Sequence, residues 1–298
     1  MDLLYEDESL LAVNKPAGMV VHPAPGHWSG TFANALAYHV RAAASAPPAP
    51  GTPPPPSSPP LSPRDGERGQ APLPDALGDG LRPGIVHRLD RYTSGVLLGA
   101  KTLDAQRSLL AAFAERRVLK VYLAVTAGWP GDAPAIAVDT PIGRHPVDRV
   151  KMAALLDGGG RAALSMIHPL ASDGGLGLVA VRIGTGRTHQ IRVHLQQLNC
   201  PVLGDPVYGD TRRNAKERRR APRPLLHAYR LQTDHPVRAQ TEPLRIVAPL
   251  PPDLAAVAAA LTGIKERADL DEWLAARVDG ALAAGSAEFD DLMRTRIL

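Results

Sequence analysis

The sequence predicts a mixed α/β fold, and three observations support this. Short apolar segments bounded by turn residues are typical of strands, and longer segments with apolar residues at helical spacing are typical of helices. The two kinds of segment are interspersed along the chain. With 298 residues, of which 44% are hydrophobic, the chain can bury one large core or two small ones.

The individual elements follow from local patterns, in chain order. Strands are predicted at residues 3–5, 9–13, 19–21, 85–86, 96–98, 118–125, 178–183, 225–231 and 244–247, with weaker strand signals between 134 and 170. Thr31 and Thr102 are placed to cap the first two helices, because a threonine hydroxyl accepts a hydrogen bond from a free first-turn amide. A third helix contains Ile191, and Ala- and Leu-rich segments after Pro252 predict further helices on the outside of the fold.

Residues 44–80 differ in composition from the rest of the chain. They are rich in Pro, Gly and Ser and have almost no apolar pattern, so they cannot bury enough surface to offset the entropy lost on ordering. They separate the first predicted helix from the strand at Ile85. We therefore interpret them as a disordered or polyproline-like insertion within one domain rather than a linker between two.

Composition also restricts the compartment and the partner. No apolar run approaches the length of a bilayer span, and the single cysteine, Cys200, cannot form an internal disulfide, so we expect a cytoplasmic protein. A net charge of +4 and seven basic residues against one acid at 212–223 indicate a polyanionic partner, with a solvated surface loop as the alternative. Aromatic residues make up only 4%, which argues against a binding surface of stacked rings.

The stretch HRLDRYTSG at 87–95 is a polar loop between two apolar segments. Loops held by buried strands are rigid positions on which chemistry is often mounted. Asp90 lies between Arg88 and Arg91, and nearby cations would keep its carboxylate ionised and suited to act as a nucleophile. Taken alone, however, the pattern favours an aspartate that caps a turn amide.

A second polar cluster follows a predicted strand and a glycine turn. The first turn of the next helix holds Arg187, Thr188, His189 and Arg192. Cations at this end of a helix face the positive end of its dipole, so they need a carboxylate or phosphate partner. The turn is neither a Walker loop nor a dinucleotide fingerprint, and His189 and His194 lack the spacing of a zinc site.

Two further side chains have ordinary alternatives to a functional role. Lys15, in a Pro/Gly turn, is either an exposed turn lysine or a residue that contacts a phosphate or the active site. Tyr122 lies on the opposite strand face from Val121 and Leu123. Taken alone, it is better explained as a half-buried strand tyrosine.

Four segments occur in a characteristic order. They are NKPAG at 14–18, HRLDRYTSG at 87–95, GRTHQIRVHL with PVLGDPVYG within 186–209, and LHAYRLQTDHP at 226–236. In sequence and spacing these segments resemble the RluA-like family of RNA pseudouridine synthases. The match extends from residue 3 to about residue 250, apart from the insertion.

The resemblance implies an α/β fold of the α+β type, with a central mixed, largely antiparallel sheet flanked by helices. It implies a catalytic domain over residues 1–252, interrupted by the insertion, and a helical C-terminal extension at 253–298. It further implies that selected uridines in RNA are isomerised to pseudouridine without a metal or an organic cofactor.

The resemblance also implies residue roles. The catalytic aspartate falls on Asp90, the active-site tyrosine on Tyr122 and the arginine that pairs with the aspartate on Arg192. Arg88 matches an arginine that probes the RNA where the base leaves. The expected RNA-binding set is completed by Lys15, Arg91, Thr93, Arg187, Thr188 and His189.

We therefore expect a monomeric RNA pseudouridine synthase that acts on a uridine in a stem-loop of ribosomal or transfer RNA, away from membranes. Two other classes stay open. One is a catalytically silent RNA-binding or ribosome-assembly factor on the same fold. The other, less favoured, is a metal-independent phosphotransfer or hydrolytic enzyme that binds phosphate at the turn over 187–194.

Overall fold

A computed structural model describes residues 1–24, 26–45, 84–148, 150–156, 159–238 and 242–297. The Pro-rich insertion predicted at 44–80 lies outside the described residues, except that residues 44 and 45 end the first helix. Within the described residues, no helix is both long and apolar enough to cross a bilayer.

The described residues form eleven strands and seven helices. The strands are β1 (Leu3–Glu6), β2 (Leu10–Lys15), β3 (Ser94–Ala100), β4 (Leu119–Ala127), β5 (Ile136–Val138), β6 (Ile142–Arg144), β7 (Met152–Ala154), β8 (Ser165–Ser172), β9 (Leu176–Ile183), β10 (Leu226–Thr233) and β11 (Leu244–Val247). The helices are α1 (Phe32–Ser45), α2 (Leu103–Ala114), α3 (Gln190–Gln197), α4 (Thr211–Lys216), α5 (Pro252–Thr262), α6 (Arg267–Ala284) and α7 (Ser286–Leu292). A π-helical segment, Met293–Ile297, follows α7.

One nine-stranded sheet organises the molecule, in the order β1-β2-β3-β10-β4-β9-β8-β5, with β11 also paired to β10. In the described residues β3 and β10 are parallel, whereas the other paired strands are antiparallel. Strands β6 and β7 form a separate hairpin. The predicted fold class, with a central mixed, largely antiparallel sheet flanked by helices, is confirmed.

The predicted helix caps are present. Thr31 exchanges hydrogen bonds with Asn34, whose backbone amide donates to the Thr31 hydroxyl while its side-chain oxygen accepts from the Thr31 amide. The Thr102 hydroxyl accepts from the amide of Ala105 at 3.3 Å. Such caps satisfy amides that have no partner within the helix, and each stabilises its helix by about 1 kcal/mol.

Two of the predicted strands are not formed as such. Residues 19–21 are not a strand, because the carbonyls of residues 20 and 21 accept from the amides of Phe32 and Ala33 at the start of α1. The backbone there satisfies the free end of a helix instead of a neighbouring strand. Ile85 makes only an isolated bridge to Gly99, so the short strand expected before the polar loop is a single point of contact with β3.

The C-terminal helices share the core of the sheet. Leu254 and Val257 on α5, and Leu270, Leu274 and Val278 on α6, are at most 2% exposed and pack with apolar residues of β4 and β9. Burial of each such side chain stabilises the fold by about 1.5–3 kcal/mol. The prediction of helices packed on the outside is therefore confirmed for these two, each of which buries one stripe against the sheet, and the domain boundary at 252 stays a prediction.

Candidate active site

A pocket opens where the loop before β3, the middle of β4 and the start of α3 meet. Its walls are formed by Arg88, Leu89, Asp90, Thr93, Tyr122, Ile183, Gly186, Arg187, Thr188, His189, Gln190, Ile191, Arg192 and Leu226. All of the predicted site residues except Lys15 and Arg91 are among them. Three segments far apart in sequence thus converge on one place.

Asp90 presents its carboxylate to this pocket and does not cap a turn. The turn at 90–93 is closed by the backbone, since the amide of Thr93 donates to the carbonyl of Asp90 at 3.1 Å. Within the described residues, the Asp90 carboxylate contacts the guanidinium of Arg192 at 3.2 Å and the imidazole of His189 at 3.9 Å. These contacts replace the turn-cap interpretation that the sequence alone favoured.

Arg192 is held chiefly by a second carboxylate. Its Nε and Nη2 atoms donate to Asp205 at 2.6 and 2.9 Å, and Asp205 is fully buried. Asp205 also accepts the amides of Val207 and Tyr208, at 2.9 and 3.1 Å. Burial opposes the charge on Arg192, but the hydrogen bonds and negative charge of Asp205, followed by those of Asp90, raise the pKa of its guanidinium overall.

This arrangement supplies the anion that the first turn of α3 was predicted to need. Among the described residues, the carboxylates of Asp90 and Asp205 are the anionic partners of Arg192. The two hydrogen bonds to Asp205 also fix the plane of the Arg192 guanidinium, because a guanidinium that donates two bonds to one carboxylate cannot rotate freely. Arg192 therefore points its remaining Nη1 group at Asp90 in a fixed direction.

Tyr122 forms another wall of the pocket from the centre of β4. It pairs in register with Ala228 of β10 on one side and Val181 of β9 on the other. Burial, and then the negative charge of Asp90, raise the pKa of the Tyr122 hydroxyl. The phenol therefore keeps its proton at neutral pH and can donate it in a hydrogen bond.

His189 begins α3 in the left-handed conformation, with φ of 58°. Its Nδ1 atom lies 2.8 Å from the hydroxyl of Tyr208, which also accepts the amide of Met152 at 2.8 Å. Burial lowers the pKa of His189, although the charge of Asp90 opposes this. The imidazole is consequently neutral near pH 7 and faces the Asp90 carboxylate.

The structure places Lys15 inside the protein rather than at the surface of the pocket. Lys15 is fully buried at the end of β2. Its ammonium donates to the carbonyls of Pro16, Met19 and Arg91, at 2.9, 3.0 and 3.1 Å. Burial, and then the charge of Arg223, lower the pKa of Lys15 to about 7. A lysine in a turn can fold inwards when carbonyls converge on it, and the sequence does not show that convergence.

The other predicted RNA-binding residues lie at different depths. Arg88 and Thr188 are exposed at the pocket, and Arg187 is half-buried with its Nε bonded to the carbonyl of residue 162. Thr93 is buried in the pocket wall. Arg91 is exposed outside the pocket, where it contacts the carbonyl of residue 18 and the ring of residue 27.

Two residues that complete the site were not predicted as site residues. Asp205 anchors Arg192, and Tyr208 contacts His189 while its ring lies 4.9 Å below the Arg192 guanidinium. Both belong to the GDPVYG segment, whose likeness to a family motif was the available signal. Among the described residues, no group of three or more His, Cys, Asp or Glu side chains is arranged to hold a metal ion.

The fold recurs in solved structures of pseudouridylate synthases. Human RNA pseudouridylate synthase domain containing 4 matches with a TM-score of 0.60 and 25% identity, over 88% of this chain and 93% of that chain. Human RNA pseudouridylate synthase domain containing 1 matches with a TM-score of 0.57 and 25% identity, over 86% of each chain. The architecture is therefore that of the pseudouridylate synthase class.

The family model described as RNA pseudouridylate synthase matches residues 9–197. The chain belongs to this family, whose members are isomerases that act on RNA. The family and the enzyme class predicted from the sequence are thereby confirmed.

Bacterial relatives extend the match over most of the chain. Ribosomal large subunit pseudouridine synthase D of Neisseria meningitidis serogroup A is 37% identical over 298 residues, which cover 98% of this chain and 68% of that protein. The protein of the same name from Pseudomonas aeruginosa is 38% identical over 261 residues, which cover 85% of this chain and 69% of that protein. An uncharacterized RNA pseudouridine synthase of Chloroflexus aurantiacus is 43% identical over 242 residues, which cover 81% of this chain and 63% of that protein.

Proposed function

We propose that this enzyme converts selected uridines of large-subunit ribosomal RNA to pseudouridine, with Asp90 as the nucleophile. The observation that carries the proposal is the Asp90 carboxylate, which faces the pocket and is oriented by an arginine that a buried acid holds in place. Ribosomal RNA is preferred to transfer RNA because relatives at 37% and 38% identity are named for the large ribosomal subunit.

The reaction requires that the uracil leave its nitrogen linkage and return through carbon. The bond between ribose C1′ and uracil N1 breaks, the base rotates, and a bond forms between C1′ and C5. C5 then loses its proton to solvent while N1 gains one, so the product is an isomer of the substrate. A base within a helix is out of reach of such a pocket, so the nucleotide must be flipped out at a cost of a few kcal/mol.

Asp90 has the position needed for this chemistry. Only one of its contacts is a close hydrogen bond, from Arg192 at 3.2 Å, and its side chain is 23% exposed. An ionised carboxylate with a free oxygen can attack ribose C1′, attack uracil C6, or assist glycal formation, and its placement is consistent with each. In all three, Arg192 acts as the positioning group and Asp205 fixes Arg192.

Tyr122 and His189 are the polar groups that flank Asp90. A protonated Tyr122 can stack on the uracil or relay a proton, and a neutral His189 can donate from Nε2 if Tyr208 occupies Nδ1. At the pocket mouth, Arg88, Arg187 and Thr188 are proposed to contact RNA. Arg91, outside the pocket, and Thr93, in its wall, complete that set. The same proposal places the enzyme in the cytoplasm as a monomer.

The direct test uses purified protein with unmodified large-subunit ribosomal RNA and transfer RNA, each transcribed in vitro. Pseudouridine is located by carbodiimide modification followed by reverse transcription. We expect modification at discrete positions of the ribosomal RNA. Modification of transfer RNA alone would contradict the choice of substrate. Binding of both RNAs without modification of either would instead indicate a silent RNA-binding or ribosome-assembly factor.

A further inference from the structure

The basic run at 212–223 divides into cations with and without internal partners. Arg213 donates to the carbonyl of Gly175 at 2.8 Å, and Arg220 lies 3.5 Å from Glu217. Arg223 is buried and forms a bidentate ion pair with Asp253. It also donates to the backbone carbonyls of residues 92 and 224. Arg213 and Arg223 therefore attach the two ends of the run to the body of the protein, whereas Arg220 contacts an acid within the run.

The other four cations of the run have no such partner. Arg212, Lys216, Arg218 and Arg219 are exposed, and none forms an ion pair or hydrogen bond with another described residue. Like charges held close together on a fixed segment repel each other, so the arrangement costs stability unless an anion binds.

Two of these cations, Arg212 and Lys216, line an open groove of about 650 Å³. The groove is also lined by Gln196 near the C-terminal end of α3 and by residues 127 and 128 at the end of β4. Tyr208 also lines the groove, and its hydroxyl contacts His189 in the active-site pocket. The contact between Tyr208 and His189 therefore connects a residue of the groove to a residue of the pocket.

We propose that α4 and the turn after it, residues 211–220, form a docking surface for the phosphate backbone of the RNA substrate, beside the pocket that receives the base. This inference rests on the proposed function, because it assigns a second contact to the same substrate. Arginine and lysine without acidic partners neutralise phosphates and release condensed counterions, which gives affinity that does not depend on sequence. A strand whose base lies in the pocket then extends over the protein surface to the groove, where it meets Arg212 and Lys216.

The test compares two double variants with the wild-type enzyme. Arg212→Gln with Lys216→Gln removes the groove cations, and glutamine preserves helix propensity. Arg107→Gln with Arg294→Gln is the matched control, because these arginines are 77% and 73% exposed but each already lies near an acid. The probe is unmodified large-subunit ribosomal RNA transcribed in vitro. Its Kd is measured between roughly 50 and 300 mM salt, because binding that releases counterions weakens steeply over such a range.

We expect the groove variant to bind at least about tenfold more weakly at low salt, with the salt slope of log Kd reduced by roughly 1.4 to 1.8. The control variant should keep the wild-type slope. At saturating RNA the groove variant should retain the wild-type kcat, because neither residue lies in the pocket. An unchanged salt slope in the groove variant would overturn the docking surface, whereas a wild-type enzyme that binds RNA without forming pseudouridine would overturn only the proposed function.

Discussion

At the scale of single residues, the site depends on one guanidinium shared by two carboxylates. Asp205 is fully buried and takes two hydrogen bonds from Arg192, whereas Asp90 takes one and is partly exposed. The three charges sum to one negative charge, because Arg192 compensates only one of the two carboxylates, and this leaves a reactive anion at the outer end of the cluster. Asp205 is therefore the structural member of the pair, and Asp90 is the carboxylate free to react.

Replacement of Asp205 by Asn tests this division of roles. The amide cannot accept both guanidinium bonds, so Arg192 loses its fixed orientation and Asp90 its alignment. We expect kcat to fall about 100-fold, as for small misplacements of reacting groups, while the Kd for RNA stays at the wild-type value. Breaking the buried pair should also lower the free energy of unfolding by roughly 3–5 kcal/mol.

The control for that variant is Asp210→Asn. Asp210 belongs to the same turn-rich region but caps α4 at the surface. There its carboxylate accepts a hydrogen bond from the backbone amide of Arg213 at 2.7 Å. Because asparagine caps a helix about as well as aspartate, this change should leave both the free energy of unfolding and kcat close to their wild-type values. Initial rates and urea unfolding measure both quantities. A wild-type kcat in folded Asp205→Asn protein would show that Asp205 does not position the catalytic groups.

At the scale of elements, the loop that carries Asp90 is fixed from several sides. Lys15, at the end of β2, bonds to the carbonyl of Arg91, and the amide of Gly18 donates to the same carbonyl at 2.8 Å. Gly95 has φ of +111°, and a Cβ there would lie 2.2 Å from the carbonyl oxygen of Ala228. Only glycine allows β3 to start so close to β10, so the loop leaves the sheet at a defined point.

Lys15→Met is predicted to weaken the fold rather than RNA binding. Methionine fills a similar volume but removes the donor that the carbonyls of Pro16, Met19 and Arg91 share. At about 1 kcal/mol for each net hydrogen bond, the free energy of unfolding should fall by roughly 3 kcal/mol. Urea unfolding and the salt dependence of the Kd for RNA measure the two effects.

Arg88→Gln provides the matched contrast, because Arg88 is exposed at the pocket. It should leave stability unchanged but reduce the salt slope by about 0.7, the value for one lost phosphate contact with a single strand. A reduced slope in Lys15→Met, with stability intact, would restore Lys15 as an RNA contact and refute its structural role.

At the scale of the whole molecule, buried neutral histidines connect stability to pH. His194 and His227 are fully buried, and each bonds through its two nitrogens to a serine hydroxyl and a backbone carbonyl. Burial lowers the pKa of both side chains to about 4. An unfolded histidine has a pKa of about 6.5, so the unfolded state binds protons first as the pH falls.

Stability should therefore be complete above pH 6.5 and decline as the pH falls from 6.5 towards 4. The decline amounts to at most roughly 3 kcal/mol for each histidine, from 1.36 kcal/mol per pKa unit. His194→Gln removes one of the titrations. Urea unfolding at pH 7.0 and 4.5 should show a smaller loss in this variant than in the wild type. An equal loss in both proteins would exclude His194 as a source of the acid sensitivity.

The parts of the site that the sequence predicted are those carried by continuous motifs. Asp90 and Arg192 were expected to pair because each lies in a distinctive segment, and the structure places them 3.2 Å apart. The anchoring role of Asp205 was missed, because a buried contact between a turn and a helix leaves no periodic signal. Lys15 was misplaced for the same reason, since the convergence of carbonyls on its ammonium depends on tertiary structure.

The fold likewise divides into elements that local sequence predicts and elements that tertiary contacts decide. Alternating strands and capped helices follow local rules, and they were predicted with errors mainly where an element satisfies another element's free groups. Residues 19–21 bond to the start of α1 instead of a strand. Long-range packing decides this case, so local pattern could not predict it.

The central claim is that Asp90 is the group that reacts with uridine. Its most direct test is tritium release from ribosomal RNA labelled at uracil C5, because formation of the C1′–C5 bond must displace that hydrogen. The account predicts that Asp90→Asn and Asp90→Ala release at least about 10⁴-fold less tritium than the wild type, while they bind the RNA with wild-type affinity. Measurable turnover by folded Asp90→Ala protein would contradict the assignment.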